Sequence, residues 1–153
     1  MPLGQVGTQL PVVSPERPFL VTRPDFGSLE PAPLPDGWVI EGAPAPQMRI
    51  LTCSDDAVLM SGIWRCGPGR FHFRYDFDET VHLLSGGVTV TIDGYRDRLD
   101  PGSVAYFARG TLSVWDVDDH VEKYFVQRNA SRMDRLMQRL GTGVNTAASI
   151  LFT

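Results

Sequence analysis

Turn-forming residues recur every few positions between residues 47 and 127, and this spacing constrains the fold more than any other feature of the chain. The pairs Asp93-Gly94 and Gly86-Gly87 separate short runs in which apolar and polar residues alternate. Such pairs favour tight hairpins because their residues readily adopt a positive φ. Regular short strands with this spacing predict an all-β sandwich or barrel. The predicted strands are Met48–Leu51, Val58–Arg65, Arg70–Asp76, Thr80–Leu84, Val88–Ile92, Tyr95–Leu99, Ser103–Phe107, Leu112–Val117 and Val121–Gln127.

The first 46 residues differ in composition, because ten of the twelve prolines of the chain fall there. Proline lacks a backbone donor and interrupts both helix and sheet. We therefore predict an extended N-terminal arm over residues 1–46 and a barrel over residues 47–128. Two pieces of the arm, Phe19–Thr22 and Trp38–Ile40, have strand-like sequences that could add to a sheet edge or to a partner subunit. Because such arms commonly pair with the sheet edge of a neighbour, we expect a homodimer.

Residues 129–153 are predicted to form one helix followed by a tail without a clear pattern. Ser131 and Asp134 have the spacing of a capping pair, and Gly141 is the expected stop signal. Apolar residues recur at helical spacing and mark one face, which we expect to pack on the barrel or on a second subunit. These residues are Met133, Leu136, Met137 and Leu140.

Length and charge exclude several classes of function. A chain of 153 residues is long enough for one domain and short for two. Its net charge of −4 gives no electrostatic reason to bind nucleic acid or an anionic membrane. No run approaches the roughly 20 apolar residues of a membrane span, and the N-terminus lacks the apolar segment of a secretory signal. We expect a soluble, cytoplasmic protein, with Cys53 and Cys66 as free buried thiols.

Two stretches of the chain resemble the paired sequence motifs of the cupin superfamily. The first is GPGRFHFRYDFDETVHLLSGGVTV, in which Glu79 and Gly86 keep the spacing between the glutamate and the glycine of the first motif. The second is LDPGSVAYFARGTLSVWDV, in which Gly102 and Gly110 keep the frame and Ala108 replaces a proline. The resemblance implies a double-stranded β-helix, the jelly-roll barrel of the cupins.

The strand sequences ETVHLLSG, GSVAYFARG, WDV and VEKYF are similar to those of one cupin subgroup. That subgroup includes the ureidoglycine aminohydrolase cupin domain and small stand-alone relatives. The resemblance extends over residues 50–127 and implies the fold. It does not imply one activity, because cupins include hydrolases, isomerases, dioxygenases, lyases and proteins that only bind ligands.

The metal ligands of the family are replaced in this chain. The resemblance implies two histidines, the glutamate and a histidine of the second motif as ligands. Aligned on Glu79, the three histidine positions fall on Phe73, Tyr75 and Ser113. A divalent cation needs three or more nitrogen or oxygen donors, so we expect no metal and no other cofactor. A shift by one residue that uses His72 stays open, because the spacing before the glutamate varies in the motif.

Strand alternation argues against that shift. Phe71, Phe73 and Tyr75 share one face of a strand, and His72 lies on the other face. Because a barrel turns its apolar face inward, His72 is predicted to face outward. The same alternation places His82 outward, and we expect His120 to be solvated in its acidic turn.

A pocket without metal remains on the inferred inner face. We expect Phe73, Ser113 and Trp115 to bind a small-molecule ligand or substrate there. Lys123 is the only lysine of the chain, and it aligns with a lysine that the resemblance associates with the substrate pocket. If Lys123 faces inward it needs a carboxylate, for which Glu79 is the natural candidate. A purely structural ion pair, or a lysine on the outer face, stays open.

Three hypotheses for function follow. The first is a metal-independent enzyme that isomerises, epimerises, dehydrates or cleaves a small polar metabolite by proton transfer. Glu79 would then be the general base or acid, Lys123 its charge partner or an anchor for substrate, and Tyr75 a second proton donor. The second is a non-catalytic ligand-binding or regulatory cupin. The third is a metal-dependent cupin, similar to aminohydrolases or dioxygenases, that uses His72 and unusual ligands.

Overall fold

The structure, a computed structural model, describes residues 10–140, which form two β-sheets and one α-helix. The strands are β1 (Val12–Val13), β2 (Glu30–Pro31), β3 (Val39–Gly42), β4 (Gln47–Ser54), β5 (Leu59–Cys66), β6 (Gly69–Arg74), β7 (Asp78–Gly86), β8 (Val88–Ile92), β9 (Tyr95–Leu99), β10 (Val104–Phe107), β11 (Leu112–Val117) and β12 (Val121–Arg128). A short 3-10 helix spans Phe26–Ser28, and the α-helix, α1, spans Arg132–Arg139.

The two sheets form the jelly-roll barrel that the sequence predicts. In the first sheet the order of strands is β1-β4-β5-β12-β7-β10, and β2 pairs with β4 beside this path. In the second sheet the order is β3-β6-β11-β8-β9. Strands adjacent in sequence pair in hairpins such as β8–β9, where Asp93 and Gly94 have φ angles of 49° and 82°. The prediction of an all-β fold of the cupin type is confirmed.

All nine strands predicted between residues 47 and 127 are present as β4–β12. Within the arm, Trp38–Ile40 overlaps β3, whereas Phe19–Thr22 adds to no sheet edge of its own chain, and its pairing with a partner subunit stays a prediction. The segment is four residues long between Pro18 and Pro24, and proline interrupts a ladder on either side of it. The two-residue strands β1 and β2 have no sequence pattern of their own.

The arm lies against its own barrel. Strand β1 pairs with β4 in parallel, with Val12 opposite Cys53, and β2 pairs with β4 in the antiparallel sense, with Glu30 opposite Met48. Strand β3 pairs with β6 at an edge of the second sheet. The arm thus covers sheet edges of the same chain. The homodimer, which we inferred from pairing with a neighbour, stays a prediction.

The core lies between the inner faces of the two sheets and follows the predicted strand alternation. Phe71 and Tyr75 of β6 and its following turn are fully buried, while His72 between them lies on the opposite face. Both cysteines are free and buried, as expected. The core consists of Trp64, Cys66, Phe71, Tyr75, Val81, Leu83, Val88, Val90, Leu99, Phe107, Trp115, Val117, Val121 and Phe125.

Helix α1 begins with the predicted capping box, in which Ser131 and Asp134 each accept the other's backbone N–H. No residue of α1 is buried, and Met133 is 65% exposed. Within residues 10–140 the apolar stripe is therefore not buried on the barrel, contrary to the expectation of packing there. Packing on a second subunit stays a prediction. Gly141, the expected stop signal, lies outside the described residues.

No helix among residues 10–140 is long and apolar enough to cross a membrane.

Candidate functional site

A cleft of about 380 Å³ opens between the arm and the inner face of the barrel. Leu34, Pro35 and Trp38 of the arm form one wall of this cleft. Glu79 of β7 and Lys123 of β12 line its floor. The cleft therefore brings two charged residues that the sequence singles out into one apolar space.

A second cleft, with a volume of about 670 Å³, lies between the arm and strand β4. Its charged residues, Glu30 and Arg49, are both exposed. Because water screens exposed charges, this cleft has no group prepared for chemistry or for tight polar recognition. The smaller cleft is the better candidate for a functional site.

Glu79 and Lys123 form an ion pair at the floor of the smaller cleft. The Lys123 ammonium donates a hydrogen bond to Glu79 Oε1 over 3.2 Å. The two residues are only 3% and 2% exposed, respectively. They meet because β7 and β12 are neighbours in the first sheet and both side chains point to its inner face. Charges this far from water need a partner, and each supplies it to the other.

Four aromatic rings surround the Lys123 ammonium. Its Nζ atom lies 4.8 Å from the ring centroid of Trp64, 4.9 Å from that of Trp115, 5.7 Å from that of Phe73 and 5.9 Å from that of Phe125. The faces of aromatic rings attract cations, and they replace part of the lost hydration. We refer to these four residues as the aromatic cage.

One glycine makes room for the cage. Gly62 of β5 lies directly opposite Phe125 of β12. A Cβ atom at this position would come within 2.7 Å of the Phe125 ring and 2.5 Å of the Arg49 carbonyl oxygen. Gly62 therefore lets the Phe125 ring lie flat over the neighbouring strand and reach the ammonium.

The ion pair keeps unused hydrogen-bonding capacity on both sides. Glu79 Oε2 is buried and has no hydrogen-bond partner among the described residues. The Lys123 ammonium has three N–H groups, and the structure assigns one of them to Glu79. The buried pair thus retains one acceptor and further N–H donors that have no partner among the described residues.

Phe73, predicted as a binding residue, lines the cleft and contacts Trp38 with ring centroids 5.5 Å apart. Ser113 and Trp115, also predicted to bind substrate, lie in a layer beneath the cleft floor instead. The Ser113 hydroxyl donates to the Phe73 carbonyl oxygen over 2.9 Å, and the Trp115 ring supports the ammonium from below. Their side chains position the site and do not line it.

Tyr75, predicted as a second proton donor, is fully buried and does not line the cleft. Its ring stacks on that of Phe107, with centroids 4.5 Å apart. Burial raises the pKa of Tyr75 well above its usual range, and the charge of Glu79 raises it further, whereas weaker interactions with Trp115 and Ser113 lower it. The phenol therefore stays protonated in the layer beneath Glu79. The structure places Glu79 and Lys123 at the cleft and leaves Tyr75 below them.

Trp64 and Trp38 also line the cleft, although neither was predicted as a site residue from the sequence. Trp64 shares its face of β5 with Gly62 and Cys66, so strand alternation alone could have identified it. No local signal identifies Trp38, because it reaches the site from the arm.

Cys66 lies near the Glu79–Lys123 pair as well. Burial raises the pKa of the Cys66 thiol to about 12, although the charge of Lys123 opposes this shift.

The donor set does not fit a divalent metal ion. Within residues 10–140, no group of three or more histidine, cysteine, aspartate and glutamate residues lies close enough to hold one. At the family's ligand positions the carboxylate of Glu79 already binds an ammonium, which repels a second cation. His72 faces away from Glu79, so the shifted alignment gains no support.

The other histidines lie outside the cleft. His82 is exposed on the outer face, as strand alternation predicts. His120 is not simply solvated: its Nδ1 lies 2.6 Å from Asp119 Oδ2 and its Nε2 lies 2.9 Å from Ser85 Oγ. These contacts hold the turn between β11 and β12 against the end of β7, while the His120 side chain stays 41% exposed in the acidic turn.

Comparison with known proteins supports the fold. Residues 53–125 match the family model of the EutQ-like cupin domain. The EutQ protein of Clostridium difficile is 18% identical with a TM-score of 0.52, over 57% of this chain and 71% of that one. A DUF861-family protein of unknown function from Pseudomonas syringae pv. tomato is 22% identical with a TM-score of 0.53, over 67% of this chain and 45% of that one. The Schizosaccharomyces pombe Cnp3 cupin domain is 15% identical with a TM-score of 0.50, over 69% of this chain and 77% of that one. No curated protein matches by sequence. Sequence identities this low support only a shared fold.

Proposed function

Residues 53–125 match the model of the EutQ-like cupin domain, and on this premise we propose that the chain is an enzyme that transfers a proton to or from a small molecule. Glu79 is the general base or acid, and Lys123 is its charge partner. One observation carries the proposal: a buried carboxylate–ammonium pair, with one free carboxylate oxygen, lines the floor of an apolar cleft. We place the chain near the ureidoglycine aminohydrolase subgroup as part of the same proposal, because its strand sequences are similar.

The surroundings of Glu79 suit proton abstraction from a carbon next to a carbonyl group. Its carboxylate lies at the floor of a mostly apolar cleft, where a bound substrate would meet it with little intervening water. Negative charge that develops on the carbonyl oxygen would be stabilised by the Lys123 ammonium, which is already in place. Isomerisation, epimerisation, dehydration and elimination all begin with this step.

The cleft limits the substrate to a small molecule with one polar end. Phe73, Phe77 and Trp38 supply apolar walls, and the Glu79–Lys123 pair supplies the polar floor. A volume of about 380 Å³ is at the lower end of small-molecule sites. We infer a metabolite of a few carbon atoms whose carbonyl group points to the floor.

Hydrogen–deuterium exchange at carbon tests this proposal. Proton NMR in D₂O would follow the loss of α-proton signals from a panel of small aldehydes, ketones and 2-oxo acids incubated with the full chain. We expect catalysed exchange with at least one compound, and a loss of about 100-fold or more in Glu79→Gln, the range typical of removing a general base. Glu122→Gln, the same change on the opposite face of β12, is the matched control and should keep the rate.

Two further measurements keep the test decisive if Glu79→Gln is poorly folded. Tryptophan fluorescence confirms that each variant is folded at the assay temperature. Glu79→Asp keeps the charge opposite Lys123 and should fold, yet its shorter side chain should slow exchange. Full activity in folded Glu79→Gln would overturn the assignment of Glu79. Tight binding by the wild type without any exchange would instead favour the non-catalytic ligand-binding cupin.

A further inference from the structure

The single lysine of the chain has a position that ion pairing alone does not explain. An ion pair that only stabilised the fold would be equally effective deep inside the core. Lys123 instead lines an open cleft. We propose that Lys123 Nζ forms a protonated Schiff base with the carbonyl group of a small aldehyde or ketone. This inference rests on the proposed function, because it uses the same cleft and names the substrate class.

The aromatic cage suits this covalent state. The nitrogen stays positively charged when it becomes an iminium, so the rings of Trp64 and Trp115, which lie 4.8 and 4.9 Å from it, continue to stabilise the cation. An alkylated nitrogen is larger and less strongly hydrated than an ammonium. Aromatic rings recognise such alkylated cations well, as they do in sites for methylated lysine. The aromatic cage therefore stabilises the iminium nitrogen where it lies, so this nitrogen does not have to move out into water.

Glu79 supplies the proton transfers that Schiff-base formation needs. The Lys123 ammonium gives one proton to Glu79, 3.2 Å away, and the freed lone pair bonds to the carbonyl carbon while the π electrons move to oxygen. A second proton passes from nitrogen to that oxygen, which gives a neutral carbinolamine. Glu79 returns its proton to the hydroxyl group, which leaves as water while the nitrogen lone pair forms the C=N bond. In total, ammonium and carbonyl become iminium and one water, and the charge is conserved.

The charges that line the cleft favour an uncharged substrate over an oxo acid. Two cations line it, Lys123 and Arg74, and each already faces a carboxylate. Lys123 pairs with Glu79, and Arg74 Nε lies 3.7 Å from Asp76 Oδ1. No unpaired cation among the residues lining the cleft is left to hold a substrate carboxylate. The walls instead fit a short alkyl or aryl substituent next to the carbonyl group.

A Schiff base would also make the proposed proton transfer easier. The iminium withdraws electrons from the adjacent carbon more strongly than a carbonyl does, so the α-proton becomes more acidic. Glu79 Oε2, which has no partner among the described residues, is the oxygen free to accept that proton. Lys123 would then act as the nucleophile and electron sink, and Glu79 as the base.

Reductive trapping tests the proposal and benefits from the single lysine. The full chain would be incubated at pH 7 with butanal and sodium cyanoborohydride, which delivers hydride to the iminium carbon. Intact mass and peptide mapping then distinguish Lys123 from the N-terminal amine, which is the other primary amine of the chain. We expect one alkyl group on Lys123, attached about tenfold or more faster in the folded chain than in urea, where no activating pair exists.

Variants separate a chemical role from a structural one. Lys123→Arg keeps the cation opposite Glu79 but cannot form an imine, so it should fold and lose both trapping and exchange. Glu79→Gln should slow trapping, and Glu122→Gln should not. The proposal is overturned if the alkyl group appears only on the N-terminal amine, or on Lys123 no faster than in urea. If Lys123→Arg still exchanges α-protons, the Schiff base is wrong and the proposed function stands. If the wild type shows neither trapping nor exchange, both are wrong.

Discussion

Replacing Lys123 with methionine destabilises the fold by about 3–5 kcal/mol, the cost expected when one partner of a buried ion pair is removed. Methionine is unbranched like lysine and only one heavy atom shorter, so most of the packing in the aromatic cage is kept. The cost arises from Glu79, whose carboxylate would remain 3% exposed with no cation to balance it. Urea denaturation at pH 7, followed by tryptophan fluorescence, measures the change.

The double variant Lys123→Met/Glu79→Gln isolates the pair from its surroundings. Each single change leaves one uncompensated charge, whereas the double change leaves none. We therefore expect the double variant to be more stable than either single variant, which requires a coupling larger than either single loss, about 3 kcal/mol or more. Stability losses that simply add would contradict the ion pair. Glu122→Gln on the opposite face of β12 should change stability by less than about 0.5 kcal/mol and serves as the control.

Trp115→Ala costs about 3–5 kcal/mol as well, for a different reason: it opens a large cavity in the core. The Trp115 side chain is 1% exposed, and its ring contacts those of Trp64, Phe71 and Phe107. It also supports the Lys123 ammonium from below, so the variant should lose ligand binding together with stability. Thermal and urea denaturation measure the loss.

Trp38→Ala is the matched comparison for Trp115→Ala. Trp38 is a half-buried residue of the arm that contacts Phe73 over the cleft. Its removal leaves the core intact, so we expect a stability loss under about 1.5 kcal/mol with a clear change in ligand affinity. Equal losses in the two variants would show that Trp115 does not support the core as described.

Strand alternation predicted much of this site, because it fixes which face of a strand a residue occupies. It placed Phe73 and Glu79 on the inner face and left the face of Lys123 open, and the structure brings all three to one cleft. Strand alternation could not show how deep in the barrel each of these side chains lies. Tyr75 and Ser113 share that face and yet lie under the cleft floor, since a period of two residues carries no information on height within the barrel.

The rest of the fold and site could not be predicted from the sequence, because it depends on contacts between distant segments. Proline content predicts an extended arm, but pairing of two-residue strands with β4 depends on the shape of the finished barrel. Trp38 becomes part of the cleft because β3, which follows it directly, pairs with β6. The helical stripe shows the opposite limit: Met133 and Leu136 have the right spacing, but spacing does not say which surface the stripe meets.

NMR spectroscopy of the single lysine tests the central claim most directly. Labelling only lysine with carbon-13 gives one set of side-chain signals from the full chain, all from Lys123. Between the rings of Trp64 and Trp115, the Lys123 ε-protons should resonate upfield of free lysine, shift further in Glu79→Gln, and change when butanal is added. Signals at the free-lysine position that respond to neither change would contradict a caged ion pair at the floor of a ligand site.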